Sequence, residues 1–272
     1  MPVNDELGKR MKENYEKRAR TYLTRRTPVA IRIDGKAFHT FTRGFNKPFD
    51  EILVTAMQNT MKYLCENIQG TVFGYCQSDE ITIILQDYAT LTTDAWFDYQ
   101  VQKICSVAAS MATMAFNRVF WDEYNKWYLC SNISYPVSEE IKKLNDIYGT
   151  AAEAGAMFDA RCFNIPKEEV CNLIYWRQID ATRNSIQMVG QANFSHEELQ
   201  DKTCNDIQDM LMIQKGMNWN DFPTHLKRGS ACIKEEYYEG DALRTRWIID
   251  TEMPILKGEN RKYVEDLIYI GE

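Results

Sequence analysis

Hydrophobic and polar positions switch between two periods along this chain, and the switches outline a fold. Residues 28–34, PVAIRID, form a short apolar run closed by Asp34-Gly35, the pattern of a buried strand entering a turn. In PFDEILVTAMQNTMKYLCEN, Ile52, Leu53, Ala56, Met57, Thr60, Met61 and Leu64 recur on one helical face, with Asp50 placed as N-cap. TVFGYC and ITIIL, rich in β-branched and aromatic residues and separated only by Gln77 to Glu80, predict the two strands of a hairpin. Helical spacing returns from about Asp94 to Phe120 through Val101, Ile104, Val107, Ala108, Met111, Ala115 and Val119, and ARCFNI at 160–165 predicts another strand. Strand, helix, strand, strand, helix, strand is the split βαβ order, so the expected class is α+β, with two helices on one face of an antiparallel sheet.

Beyond residue 165 the pattern predicts helices over 167–176 and 181–193. Ser195 with Glu198 makes a capping box for a helix reaching about Gln214, and KRGSACIKEEYY and RTRWIIDTEMPI predict a late strand pair. The expected division is a catalytic domain over 1–165, opened by a basic helix, and a helical and stranded region over 166–272 packed on it, since no Gly/Ser linker or repeat separates them.

Composition narrows the class. With 272 residues, 44% hydrophobic and 26% charged, the chain can bury a substantial core and is too apolar to be disordered. No window approaches the roughly 18 apolar residues of a membrane helix, and the first twenty residues are charged, so a cytoplasmic protein without membrane contact is expected. Eight cysteines without a C-x-x-C pair predict reduced, packed thiols rather than disulfides or zinc ligands. A net charge of −7 argues against wholesale coating of nucleic acid and leaves room for a local basic face, as residues 9–26 suggest.

The candidate chemistry lies at two strand ends. In the split βαβ order the first strand and the central hairpin are neighbours, so Asp34 can face Asp79. Two such carboxylates repel unless a divalent cation lies between them, and Mg²⁺, which takes hard oxygen ligands and shares them with substrate phosphates, suits the pair. Gly35 could contribute a carbonyl oxygen, and the turn GKAFHTFTRGFNKPFD offers backbone N–H groups and Lys36 and Lys47 for phosphates. Two metals sharing the carboxylates would serve phosphoryl or nucleotidyl transfer. Taken singly, Asp34-Gly35 and Asp79-Glu80 also read as ordinary solvated turns.

The motifs IRIDGKAFHTF, FNKPFD, GYCQSDE, YWRQIDATRNSI and KRGSACIKE, in that order, resemble the tRNA-histidine guanylyltransferase superfamily over about residues 5–235. The resemblance implies a core like the palm of polymerases, catalytic acids at Asp34, Asp79 and Glu80, and two Mg²⁺ ions held by Asp34, Asp79 and the Gly35 carbonyl. It implies nucleotide contacts from Asp34, Gly35, Lys36, Ala37, Phe38 and His39, with Lys47, Ser78, Asp79 and Lys103. The implied reaction uses ATP to adenylylate an RNA 5′-monophosphate, after which the 3′-hydroxyl of GTP or another NTP displaces AMP; the implied assembly is a homotetramer, a dimer of dimers. Enzymes specific for histidine tRNA carry a His where this chain has Thr182, followed by Arg183, Asn184 and Ser185. ATRNSI is similar instead to the guanylyltransferase-like branch, which implies template-dependent repair of truncated tRNA 5′ ends. Arg177, Arg183, Asn184, Lys227 and Arg228 are the expected RNA contacts, whereas Trp176 reads as core. The alternatives are extra-guanosine addition to histidine tRNA and, in another class, a palm-type nucleotide cyclase or a nucleotide-sensing module.

Overall fold

The computed structural model describes residues 5–131 and 138–270. Its centre is a six-stranded sheet in the order β4-β1-β3-β2-β5-β6, built from β1 (Val29–Gly35), β2 (Thr71–Gln77), β3 (Glu80–Leu85), β4 (Phe158–Asn164), β5 (Ser230–Glu239) and β6 (Ala242–Asp250). Every pairing is antiparallel. The first four strands keep the order expected of the split βαβ unit. The late strand pair extends that sheet, because β5 pairs with β2 through Gly74, Tyr75 and Cys76.

The helices are α1 (Glu6–Met11), α2 (Phe38–Phe41), α3 (Glu51–Asn67), α4 (Val101–Ser131), α5 (Glu139–Ala154), α6 (Lys167–Asn193), α7 (His196–Leu199), α8 (Cys204–Lys215), α9 (Thr224–Arg228) and α10 (Lys262–Ile268). Side chains alternate across a strand, so the sheet has two apolar faces. Ile31, Ile33, Ile81 and Ile83 point to the face covered by α3 and α4 and are fully buried. Burying each such aliphatic side chain contributes about 1.5–3 kcal/mol. Ala30, Phe73, Tyr75 and Ile84 point the other way, against Val170 and Ile174 of α6 and Val264 and Ile268 of α10. Both faces are therefore covered.

Several helix boundaries depart from the periodicity. The second long helix starts at Val101, because Phe97, Asp98 and Tyr99 take left-handed backbone angles. The two helices expected over 167–193 are one continuous helix, as no Gly or Pro interrupts residues 177–180. The Ser195–Glu198 capping box is present but starts only the four-residue α7, and a second box, Thr203 with Asp206, starts α8. Helix α5, with Ile141, Leu144, Ile147, Tyr148 and Ala151 at helical spacing, was not among the expected elements; Ser138 caps it by accepting from the Ile141 amide. All eight cysteines are free thiols, and among the described residues no helix is long and apolar enough to cross a membrane.

Candidate active site

Strand register brings the acids together. Asp34, near the end of β1, sits opposite Glu80 on β3 and opposite Asp159 on β4. Ser78 and Asp79 form the turn of the β2–β3 hairpin, with Ser78 at φ 49°. The Gly35 amide donates to the Asp79 carbonyl at 3.1 Å, which ties that turn to the end of β1. Gly35 is needed for its size, since an added Cβ would fall 2.2 Å from the Phe38 ring.

The electrostatics distinguish the three acids. Burial, then the charges of Glu80 and Asp159, pushes Asp34 above the ordinary carboxylate range. Burial also lifts Asp79, and the charge of Asp34 adds to it, against the lowering effect of local hydrogen bonds that include Ser78 Oγ at 3.1 Å. Glu80 is different. Its Oε2 accepts from Arg32 Nη2 at 2.6 Å, and Arg177 Nε lies 2.7 Å from its Oε1, a charge contact without hydrogen-bond alignment. Two guanidinium groups neutralise Glu80, so Asp34 and Asp79 are the carboxylates left for a cation. Their hard oxygens, partial burial and mutual repulsion fit Mg²⁺.

Beside the pair opens a cavity of about 570 Å³, lined by Gly35, Ala37, Phe38, His39, Lys47, Ser78 and Asp79 and closed by Met188 and Gln191 of α6. That volume lies in the range of nucleotide-sized sites. The 36–47 turn that forms one wall is fastened from below by aromatic rings. Phe38 and Phe41 pack edge-on against Phe116 of α4, and Phe45 stacks on Phe120 at 5.7 Å. Asp50 is buried and accepts the amides of Asn46 and Leu53 and the Tyr148 hydroxyl, which joins the turn, α3 and α5. The polar edge of the cavity is thus held by a packed base.

The other expected residues divide. Lys36 lies on the far side of the turn and lines a second cavity against α5. Lys103, in the first turn of α4, sits over the Phe97 ring at 4.6 Å and does not line the nucleotide-sized cavity. Arg177 is corrected from RNA contact to internal ion pair: it is 6% exposed and bonds Asp180 at 2.8 Å besides meeting Glu80. Lys227 is corrected likewise, being 8% exposed and donating to the Asn220 carbonyl. Trp176 is not core; it is 52% exposed and lies over the guanidinium groups of Arg177 and Arg32 at 4.5 and 5.4 Å. Arg183 is exposed on α6 and paired with Asp180, Asn184 lines a small cavity beside Ser185 and Met188, and Arg228 is half-buried with its carbonyl accepting from Tyr75. Sequence reasoning missed Met188, Gln191 and Tyr148, whose roles come from long-range packing; Asp50 was readable only as a helix cap.

Comparison with known proteins gives this geometry a context. The family model described as tRNAHis guanylyltransferase matches residues 8–166. The chain belongs to that family. A bacterial tRNAHis guanylyltransferase-like protein solved with ATP is 43% identical, with a TM-score of 0.80, covering 97% of this chain and 100% of that one. A structure under the same description with GTP is 42% identical, with a TM-score of 0.77, covering 98% and 100%. The tRNAHis guanylyltransferase of Debaryomyces hansenii is 26% identical, covering 89% of this chain and 87% of its own. This protein is accordingly a nucleotidyltransferase of the tRNAHis guanylyltransferase family.

Proposed function

We propose that this protein is a Mg²⁺-dependent 3′-to-5′ RNA nucleotidyltransferase that restores truncated tRNA 5′ ends, using the opposite strand as template. The observation that carries the reading is the β2–β3 turn tied to the end of β1 by the Gly35 amide, which sets Asp79 and Gly35 on the wall of a nucleotide-sized cavity next to Asp34, with Glu80 already ion-paired. The relatives solved with ATP and with GTP support nucleoside triphosphates as substrates.

Asp34, Asp79 and the Gly35 carbonyl would hold Mg²⁺, which when bound offsets the charge developing on transferring phosphates. Lys47 and His39 face the cavity, where Lys47 can meet a triphosphate as a point charge. An oxygen of the RNA 5′-phosphate attacks the α-phosphorus of ATP and pyrophosphate leaves. The 3′-hydroxyl of an incoming NTP then attacks the RNA phosphorus and AMP leaves. The residues need only bind and align these groups, so no protein nucleophile takes part. Thr182 supports repair over histidine-tRNA specificity: its hydroxyl bonds back to the Gln178 carbonyl within α6 and offers no imidazole to RNA. Exposed Trp121 and Leu129 on α4 are surfaces that a tetramer could cover.

The test is addition of labelled nucleotide to intact and 5′-truncated tRNAs, with Mg²⁺ and with chelator. Templated addition to truncated tRNAs that stops with chelator is expected. Addition confined to intact histidine tRNA would overturn the repair reading, and cyclic nucleotide formed from NTP alone would replace it with a cyclase.

A further inference from the structure

A second cavity, of about 680 Å³, lies on the other side of the 36–43 turn, between that turn and α5. Its charged side chains are Lys36, Arg43, Lys143 and one acid, Asp146. The three cations are exposed, and among the described residues none has an ion-pair or hydrogen-bond partner for its side chain. On a protein with net charge −7, three free cations against one acid give a local basic groove. Its floor is apolar, with Ile147 of α5 half-buried and Met157 60% exposed.

The groove adjoins the reacting centre. Lys36 follows Asp34 by two residues, so their Cα atoms are within about 7 Å of one another. The Lys36 amide donates to the Met157 carbonyl at 2.8 Å, which joins the turn to the segment entering β4. The walls offer unpaired charge and an apolar surface of Ile147, Met157 and small residues, with no buried polar side chain among the described lining residues to read a base edge. That combination suits single-stranded nucleic acid, which is held by its phosphates and by stacking of whichever base is present.

We propose that this groove binds the unpaired 3′ overhang of the substrate RNA, the strand that faces the 5′ end under extension. The inference rests on the proposed function, which places RNA at Asp34 and Asp79. Lys36, Arg43 and Lys143 hold phosphates, and Ile147 and Met157 supply the apolar surface for a base. In this arrangement the 36–43 turn lies between the groove and the nucleotide-sized cavity, so the groove takes overhang nucleotides beyond the one that pairs with the incoming nucleotide.

The experiment measures binding of two hairpin RNAs carrying 5′-monophosphates, one with a 3′ overhang and one blunt, to full-length protein saturated with a non-hydrolysable ATP analogue. The wild type is compared with the Arg43→Gln, Lys143→Gln double variant. Wild type is expected to prefer the overhang. The variant is expected to lose roughly tenfold for the overhang hairpin alone, with a salt slope shallower by about 1.4, from about 0.7 for each of two phosphate contacts on a single strand. Nucleotide affinity and melting temperature are expected to stay unchanged, since both side chains are exposed and unpaired. Equal weakening for both hairpins, no weakening, or displacement of the overhang by AMP would overturn the inference. Wild type that adds nucleotides but binds both hairpins equally refutes the groove alone, whereas wild type that neither binds RNA nor transfers refutes the proposed function with it.

Discussion

Arg177→Met tests whether the guanidinium at the centre of α6 is a structural clamp. Arg177 is 6% exposed and touches two acids, Glu80 at 2.7 Å and Asp180 at 2.8 Å. Methionine keeps most of the side-chain length and removes the charge. Breaking a buried ion pair by removing one partner costs about 3–5 kcal/mol, because the remaining charge stays desolvated. Here each acid keeps a second arginine, Arg32 for Glu80 and Arg183 for Asp180, so the lower end, about 3 kcal/mol, is expected. Unfolding entropy near 2.1 cal/mol/K per residue makes 272 residues worth about 0.6 kcal/mol per degree, so the melting temperature should fall by roughly 5 °C. Thermal melts of Arg177→Met, Glu80→Gln and the double variant should show a coupling of about 1–3 kcal/mol between the two sites. An unchanged melting temperature with weakened RNA binding would refute the clamp and return Arg177 to the RNA surface.

Three further outcomes follow from the site and core. Asp79→Asn should melt higher than wild type in chelator at neutral pH, lose the Mg²⁺-induced stabilisation and lose transfer. The sign comes from linkage: both aspartates titrate above their unfolded range, so the folded state carries a penalty at neutral pH that fades as pH falls through that range, and the advantage of Asn should vanish near pH 4 in paired melts. Tyr148→Phe removes the hydroxyl that donates to Asp50 at 2.5 Å and should cost about 1.5–3 kcal/mol, with KM for nucleotide raised because Asn46 and Asp50 edge the cavity. Gly74→Ala places a methyl 2.5 Å from Cys65 Sγ and 3.1 Å from Met61 Cγ, so denaturant melts should show a loss of about 1–3 kcal/mol by overpacking.

The strands of the core were legible because each is a short apolar run bounded by turn residues. Helix α3 was legible because a cap and an apolar stripe agree, with Asp50 accepting from the Leu53 amide. Helix α5 was missed although its apolar stripe, Ile141, Leu144, Ile147, Tyr148 and Ala151, agrees with the Ser138 cap, because the split βαβ order calls for no helix between α4 and β4. The start of α4 was misplaced since two of the three left-handed residues, Phe97 and Tyr99, are bulky aromatics that rarely take such angles, and Asp98 alone does not announce a three-residue run. At the site, Asp34 and Asp79 could be placed from strand order alone. The state of Glu80 could not, because it depends on Arg177, ninety-seven residues away on an element whose packing the periodicity does not specify.

Arg177, Gln178 and Asp180 interrupt the apolar pattern, and polar residues in a helical stripe invite a break. Each is instead satisfied by a distant or charged partner: Arg177 by Glu80, Asp180 by Arg177 and Arg183, and Gln178 by the Pro254 carbonyl and the Leu256 amide. A helix rises about 1.5 Å per residue, so Gln191 at the cavity lies roughly 20 Å along the axis from Arg177. One rod therefore grips the segment before α10, clamps the strand beside Asp79 and walls the nucleotide-sized cavity with Met188 and Gln191. Two separate helices could not fix those three points relative to one another. The polar interruption is where α6 is anchored, and the shape of the cavity depends on that anchorage.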